Sequence, residues 1–384
     1  MSSTSLRQSV LRPVRRVVIK LGTQLLTKPN LVNSDLDLTY INSIVRQIAM
    51  LRREKFEVTL VSSGAVGAGC AELAIKRRPK DLAELQAVAA VGQPRLMMHY
   101  HRSFERAQIK MAQLLLTRDD FEHRLRFLNI RNCITHLQKL GCVPIVNEND
   151  TVAVEELEAP RFGENDVLAA MICHALRADA LVLLTVIEGL EDEAGQRIDV
   201  VEDLAAVQGV VRHEKSPLGS GGMKAKLRAA KMVTDAGEVA IIANGRTKNV
   251  LPRLFDGEPL GTLFLPSARK LDSRQRWIGL TKRPSGVVTI DAGASTALRQ
   301  RSKSLLAVGI VDASGKFERG QVVVLCDQSG REVARGLINY DAAELRLIMG
   351  KRSNQFPKIL GHQTYAEVVH RDNLVLTRSN QANL

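Results

Sequence analysis

Residues 180–186 read ALVLLTV, a run in which threonine is the only polar residue. A strand that is apolar at every position, rather than at alternate ones, has no face to give to water. It must be covered on both sides, which is the situation of a strand inside a parallel sheet. Other strand-like, largely apolar runs occupy residues 14–21, 56–62, 109–116, 143–146 and 238–244. Helical spacing separates them. In residues 36–55, Ile41, Ile44, Val45, Ile48 and Leu51 fall on one side of a helix. Residues 82–106, 124–140, 166–178 and 224–236 also read as helices. This alternation predicts an α/β fold over residues 14–266, with a mainly parallel sheet between helices. Such sheets take ligands beyond the carboxyl ends of their strands.

The texture changes after Pro266. Residues 267–284 are basic and irregular, as in a linker, with Trp277 as an anchor. From Gly286 the pieces GVVTIDAGA, SLLAVGIVDASGKF and GQVVVLCDQSGREVARGLIN are short and strand-like, separated by turn residues. A small β-rich domain is expected over residues 285–372. A chain of 384 residues has room for about two to three domains. Its net charge of +13 raises the question of nucleic acid. Only four of those charges lie in residues 285–384, so the excess forms no single basic stripe.

Five cysteines, Cys70, Cys133, Cys142, Cys173 and Cys326, are scattered and form no CxxC pair. This usage fits a reducing compartment, the cytoplasm, without a disulfide frame or zinc site. No run approaches the roughly 20 apolar residues of a membrane span. The first sixteen residues carry Arg7, Arg12, Arg15 and Arg16 and no acid. They faintly resemble a transit peptide, but the segment is short, and it reads as a frayed terminus.

Small residues cluster where strands of the first domain end. Lys20, Gly22 and Thr23 follow the first strand, and Ser62, Ser63 and Gly64 follow the second. Gly219, Ser220, Gly221 and Gly222 precede a helix that carries Lys224 and Lys226. Glycines let backbone N–H groups approach an anion, and a helix N-terminus adds favourable charge. Any one of these loops alone reads as a turn. Three of them on one sheet edge point to a nucleotide, although the Walker spacing is absent. The segment NENDTVAVEE (residues 147–156) holds Asp150, and FGENDVLAA (residues 162–170) holds Asn165 and Asp166. Read singly, Asp150 is a solvated loop acid and Asn165-Asp166 an N-cap pair.

Taken in order, VVIKLGT, VSSGAVGAG, AAVGQPRLM, LLLTRDDF, RFLNIRN, PIVNENDTVA, GENDVLAA and GSGGMKAK resemble the glutamate 5-kinases of the amino acid kinase family. The tail resembles a PUA domain, which many members carry at this position. The resemblance implies a three-layer αβα sandwich and ATP-dependent phosphorylation of the γ-carboxylate of L-glutamate, with Mg²⁺. It implies Lys20, Lys226 and Asp166 as catalytic residues. It implies nucleotide contacts from Lys20, Gly22, Thr23, Thr185, Val186, Ser220, Gly221, Gly222, Met223, Lys224, Ala225 and Lys226. Ser63, Gly64, Asp150 and Asn165 match glutamate-binding positions. No protein ligand of Mg²⁺ is readable. A homodimer or homotetramer, feedback inhibition by proline, and RNA as a partner of the PUA-like domain are further implications.

The family's TDxxGLY is replaced here by TVIEGLE, so Val186 and Glu191 stand where an acid and a tyrosine are usual. These positions lie near the expected adenosine half of ATP. The competing readings are another kinase of the same fold, and an RNA-binding or regulatory protein that has lost turnover.

Overall fold

The computed structural model describes residues 3–28, 35–152, 164–207, 222–267, 278–279, 283–301, 303–362 and 365–377. The chain divides into two compact units, Met1–Lys270 and Leu271–Leu384. In the first, strands β1 (Arg16–Leu21), β2 (Glu57–Val61), β3 (Met111–Leu116), β4 (Val143–Glu148), β5 (Ala180–Thr185), β6 (Val200–Val201), β7 (Val239–Asn244) and β8 (Thr262–Phe264) form one sheet. Their order is β3-β4-β2-β1-β5-β7-β8-β6. All neighbours are parallel except β7 and β8.

The helices of this unit are α1 (Ser3–Leu11), α2 (Thr23–Leu26), α3 (Leu38–Arg53), α4 (Ala65–Glu72), α5 (Leu82–Arg106), α6 (Arg118–Glu122), α7 (Arg124–Lys139), α8 (Glu164–Leu176), α9 (Leu204–Val207), α10 (Met223–Asp235) and α11 (Val250–Phe255). Helices α3, α5 and α11 cover one face of the sheet, and α7, α8 and α10 the other. The result is a three-layer αβα sandwich. Strand β1 shows why the apolar run is continuous. Val17, Ile19 and Leu21 enter the core with α3 and α5, while Val18 is equally buried on the other face. Each such aliphatic side chain contributes about 1.5–3 kcal/mol on burial.

Local signals set the helix boundaries. Asp37 caps α3 by accepting the Tyr40 N–H at 2.9 Å. The predicted stripe Ile41, Ile44, Val45, Ile48 and Leu51 is the buried one. Asp81 caps α5 by accepting the Glu84 N–H at 3.1 Å. Helices α4 and α5 cross so closely that a Cβ on Gly69 would stand 1.9 Å from the Val88 carbonyl oxygen. Only glycine permits that approach.

One expectation is corrected here. Residues 3–14 are not frayed. Helix α1 docks through Leu11 and Val14, both in the core, and Arg7 is wholly buried. The reason is a set of acceptors for both terminal nitrogens of its guanidinium, although Nε is buried without a hydrogen-bond partner among the described residues. Arg7 donates to Asp199 Oδ1 and Asp199 O at 2.7 Å, to Gly261 O at 2.9 Å and to Leu260 O at 3.0 Å.

The second unit has strands β9 (Gly286–Ile290), β10 (Ile310–Gly315), β11 (Val322–Cys326), β12 (Glu332–Leu337) and β13 (Leu374–Leu376). They form a five-stranded sheet in the order β10-β9-β11-β12-β13, in which only β9 and β11 are parallel. Helices α12 (Ala292–Arg301), α13 (Ala342–Ile348) and α14 (Phe356–Leu360) accompany it. Val288, Ile290, Val323, Leu325, Leu345 and Phe356 are wholly buried in its core. Trp277 and most of the linker 267–284 lie outside the described residues.

Candidate active site

The carboxyl ends of β1, β2, β4, β5 and β7 share one edge of the sheet, because these strands are mutually parallel. Lys20 is the next-to-last residue of β1, and its face of the strand looks toward α8 rather than α3. There it meets Asp166, at 2.7 Å between Lys20 Nζ and Asp166 Oδ1. Lys226, one turn into α10, reaches the other oxygen of the same carboxylate at 3.4 Å. Lys20 is 5% exposed, Asp166 0% and Lys226 6%. Two ammoniums and one carboxylate thus share a buried corner.

Electrostatics follow from that packing. Burial opposes ionisation of Asp166, but the two lysines outweigh it and hold the carboxyl below the usual range. Burial, helped by the Lys20 charge, pushes the Lys226 ammonium below the usual lysine value despite Asp166.

Backbone donors surround the corner. Gly222 precedes α10 as its N-cap residue and offers no side-chain cap, and Ala225 N donates to Gly222 O at 3.0 Å. A Cβ at Gly222 would meet nothing within 4 Å, which leaves open space for a ligand. Met223, Lys224 and Ala225 form the first turn, with Lys224 exposed. Ser220 and Gly221 lie outside the described residues. Gly22 donates its N–H to Leu184 O at 3.0 Å, which fixes the turn leading into Thr23 and α2. Thr185 ends β5, and Val186 beside it is 40% exposed. Helix N-termini, glycine turns and two lysines suit the phosphates of a nucleotide.

A second cluster adjoins the first. Ser63 is buried, and Gly64 adopts φ 100° as the residue preceding α4. Asn165 Nδ2 donates to Ser63 Oγ at 3.1 Å. Its Oδ1 is buried without a hydrogen-bond partner among the described residues. Asn165 and Asp166 stand inside the first turn of α8, which begins at Glu164, so they are not its N-cap pair. Asp150 lies in the turn just beyond β4 and is partly exposed. Among the described residues no group of three or more His, Cys, Asp or Glu side chains forms a metal site.

Sequence reasoning left several residues unread. Strand β4 runs two residues further than expected, which places Asn147 within it. Asn147 is buried, and its Nδ2 donates to Gln93 Oε1 at 2.8 Å. Both stand in quoted motifs, and an amide at the end of an apolar strand is the signal that marks them. Arg246, after β7, donates to Asp37 at 2.6 Å and lies over the Tyr40 ring at 4.9 Å. It braces the loops after β1 and β7 against each other, and no periodicity reveals it.

Known proteins resemble the chain along nearly its whole length. Residues 15–244 match the amino acid kinase family and residues 286–360 the PUA domain. A glutamate 5-kinase of Synechococcus sp. (strain JA-3-3Ab) is 44% identical, covering 94% of this chain and 98% of the relative. One from Syntrophus aciditrophicus (strain SB) is 43% identical, covering 98% and 97%. Among solved structures, an N-acetylglutamate synthase from Neisseria gonorrhoeae, complexed with coenzyme A and N-acetyl-glutamate, has a TM-score of 0.50 at 13% identity. It covers 70% of this chain and 64% of that one, and it supports the fold alone. The sheet order, the buried lysine–carboxylate corner and this coverage agree: the chain belongs to the glutamate 5-kinases of the amino acid kinase family and carries a C-terminal PUA domain.

Proposed function

We propose that the chain transfers the γ-phosphoryl group of ATP to the γ-carboxylate of L-glutamate, giving glutamyl 5-phosphate, the first step of proline synthesis. The observation that carries this reading is the buried Lys20–Asp166–Lys226 corner, in which two ammoniums share one carboxylate at the carboxyl edge of the sheet. A γ-carboxylate has a pKa of about 4.3, so it is ionised at neutral pH and needs no general base. The site's work is to cancel repulsion between two anions and to align them. Lys20 and Lys226 supply the charge, and Asp166 holds both ammoniums in place. Gly22, Thr23 and the first turn of α10 hold phosphate oxygens, with Ser220 and Gly221 completing that loop. Thr185 and Val186 border the nucleoside. ATP would bring the phosphoryl group, and Mg²⁺ bound with it would supply charge neutralisation.

Glutamate fits the second cluster. The free Asn165 Oδ1, Ser63 and the N–H groups after Gly64 offer an acceptor and donors to an amino-acid head. Asp150 suits the α-ammonium. No helix among the described residues is long and apolar enough to cross a membrane. The family resemblance also supports a cytoplasmic homodimer or homotetramer with proline as feedback inhibitor. For the PUA domain the spread of charge favours a role in assembly or regulation over RNA binding.

The test is ADP release by the purified protein with ATP, Mg²⁺ and L-glutamate, with hydroxylamine present to trap the acyl phosphate. Hydroxamate formed in step with ADP supports the reading. ADP release that ignores glutamate, or none at all, overturns it.

A further inference from the structure

Helix α1 and the loop that follows β5 are joined by one side chain. The loop, residues 186–199, leaves β5 at the edge where Lys20 lies and returns to the sheet at β6. It is a short hairpin. Asp192 N donates to Gln196 O at 2.9 Å, Ile198 N to Leu190 O at 2.7 Å, and Glu191 bridges Arg197 across it. Its first leg is held by Asn244 Nδ2, which donates to Glu188 Oε1 at 2.7 Å. Thr262 Oγ1 ties the two legs, accepting from Leu190 N at 2.8 Å and donating to Ile198 O at 2.6 Å. Gly189 lies so close that a Cβ there would stand 2.6 Å from that oxygen.

The second leg ends at Asp199, where Arg7 takes hold. Its guanidinium joins the Asp199 carboxylate and carbonyl to the carbonyls of Leu260 and Gly261. Arg197 also approaches the same carboxylate, at 3.5 Å. Leu260 and Gly261 lead into β8, whose Thr262 pairs with Ile242 near the carboxyl end of β7. Arg7 therefore acts at the edge of the sheet where ligands bind. Docking α1 needs only an apolar residue at this position, since Leu11 and Val14 already anchor it. A buried guanidinium is costly unless its N–H groups find acceptors; both terminal nitrogens of Arg7 do, and its rigid fork fixes those acceptors relative to one another.

We propose that α1 braces the nucleoside side of the nucleotide site, with Arg7 as a positioning residue that fixes loop 186–199 through Asp199. The proposal rests on the reading that Thr185 and Val186 border ATP. It is deepest where this chain departs from its family, since the loop begins with Val186 and carries Glu191. With polar side chains changed there, the loop's backbone has to be held from outside.

The experiment compares the full-length protein with Arg7→Met, Arg7→Lys and Asp199→Asn. Arg7→Met should raise the KM for ATP about tenfold, as lost uniform binding does, while the KM for glutamate stays within about twofold. Arg7→Lys should fall between parent and Arg7→Met. Asp199→Asn should raise the same constant and add less than its full effect to Arg7→Met. Inhibition by inorganic tripolyphosphate, which lacks a nucleoside, should be unchanged. Equal weakening of ATP and tripolyphosphate, or a lower kcat at the parent's KM for ATP, would show a merely structural role and overturn the brace. If Arg7→Met does not fold, the order of KM values among parent, Arg7→Lys and Asp199→Asn decides. ATP titration by calorimetry without glutamate keeps the two readings apart. A parent that binds ATP but phosphorylates no glutamate sinks the proposed reaction and leaves the brace testable.

Discussion

Among the described residues, the buried charged and amide side chains all belong to the first unit, from Arg7 through Lys20, Asn147 and Asp166 to Lys226 and Glu238. The second unit has a core of the same kind, with Val288, Leu325 and Leu345 wholly buried, and keeps its charges at the surface. Its ion pair between Arg335 and Glu332 is part-exposed and spans three residues of one strand. The contrast has a physical meaning. Burying ions works against folding, and a unit that needs only to fold leaves them outside. In the first unit Lys20, Asp166 and Lys226 are buried together at the edge of the sheet where the proposed reaction would occur.

The sharpest way to break this contrast is to remove a lysine. Lys226→Ala, and equally Lys20→Ala, should lower kcat by about 10² or more, as the loss of a preorganised donor does. Thermal melting should show little loss of stability, because one of two like charges is gone. A variant with near-normal turnover would detach the buried corner from the chemistry.

Asp166→Asn acts in the opposite sense. It removes the carboxylate that Lys20 and Lys226 share and should cost about 3–5 kcal/mol in denaturant unfolding. The folded-state pKa of Asp166 is lowered, so its contribution is present above the unfolded carboxyl value and is lost as pH falls through the folded one. The gap between parent and variant should therefore be constant near neutrality and close only in acid. A gap that is already absent at pH 7 would contradict the assignment.

A smaller effect lies on the alkaline side. Lys226 works as a cation and its pKa is depressed, so kcat/KM for ATP should fall at a pH below the ordinary lysine value of 10.5. Bound phosphate favours the charged form, so the limb in kcat should lie at higher pH. Lys226→Arg should lose the limb, since guanidinium stays charged. A parent whose profile is flat to pH 10.5 would count against the assignment.

The smallest change should follow removal of the second unit. A chain of residues 1–270 should keep kcat within about threefold, because every proposed catalytic residue precedes the cut and distant sites act nearly independently. Loss of all turnover in a truncated chain with an intact far-ultraviolet spectrum would show that the first unit is not self-sufficient.

Much of the frame was legible because it rests on local rules. Strands β1, β5 and β7 are apolar except for Arg16, Lys20, Thr185 and Asn244, and α5 starts at a capping aspartate and spans the expected residues 82–106. The buried partner of Lys20 could be sought because a charge inside an apolar strand demands one. Illegible features depend on distant partners. Arg7 looked like one more basic residue in a polar terminus, and only the acceptors at 199, 260 and 261 make it a core residue. Strands β6 and β8 have two and three residues, too few for a period. Helix α12 lies in a tail whose turn residues suggested strands alone.

The placement of Arg7 also orders the making of the molecule. Its acceptors lie 192, 253 and 254 residues further along the chain. At roughly 5–20 residues per second of synthesis, α1 waits on the order of 10 to 50 seconds for the carbonyls that receive it. Leu11 and Val14 belong to a core that includes the early elements β1, α3 and β2, but until those carbonyls exist the arginine has no acceptors there. Helix α1 therefore completes its docking late, and the Arg7 contacts close the sheet's far edge.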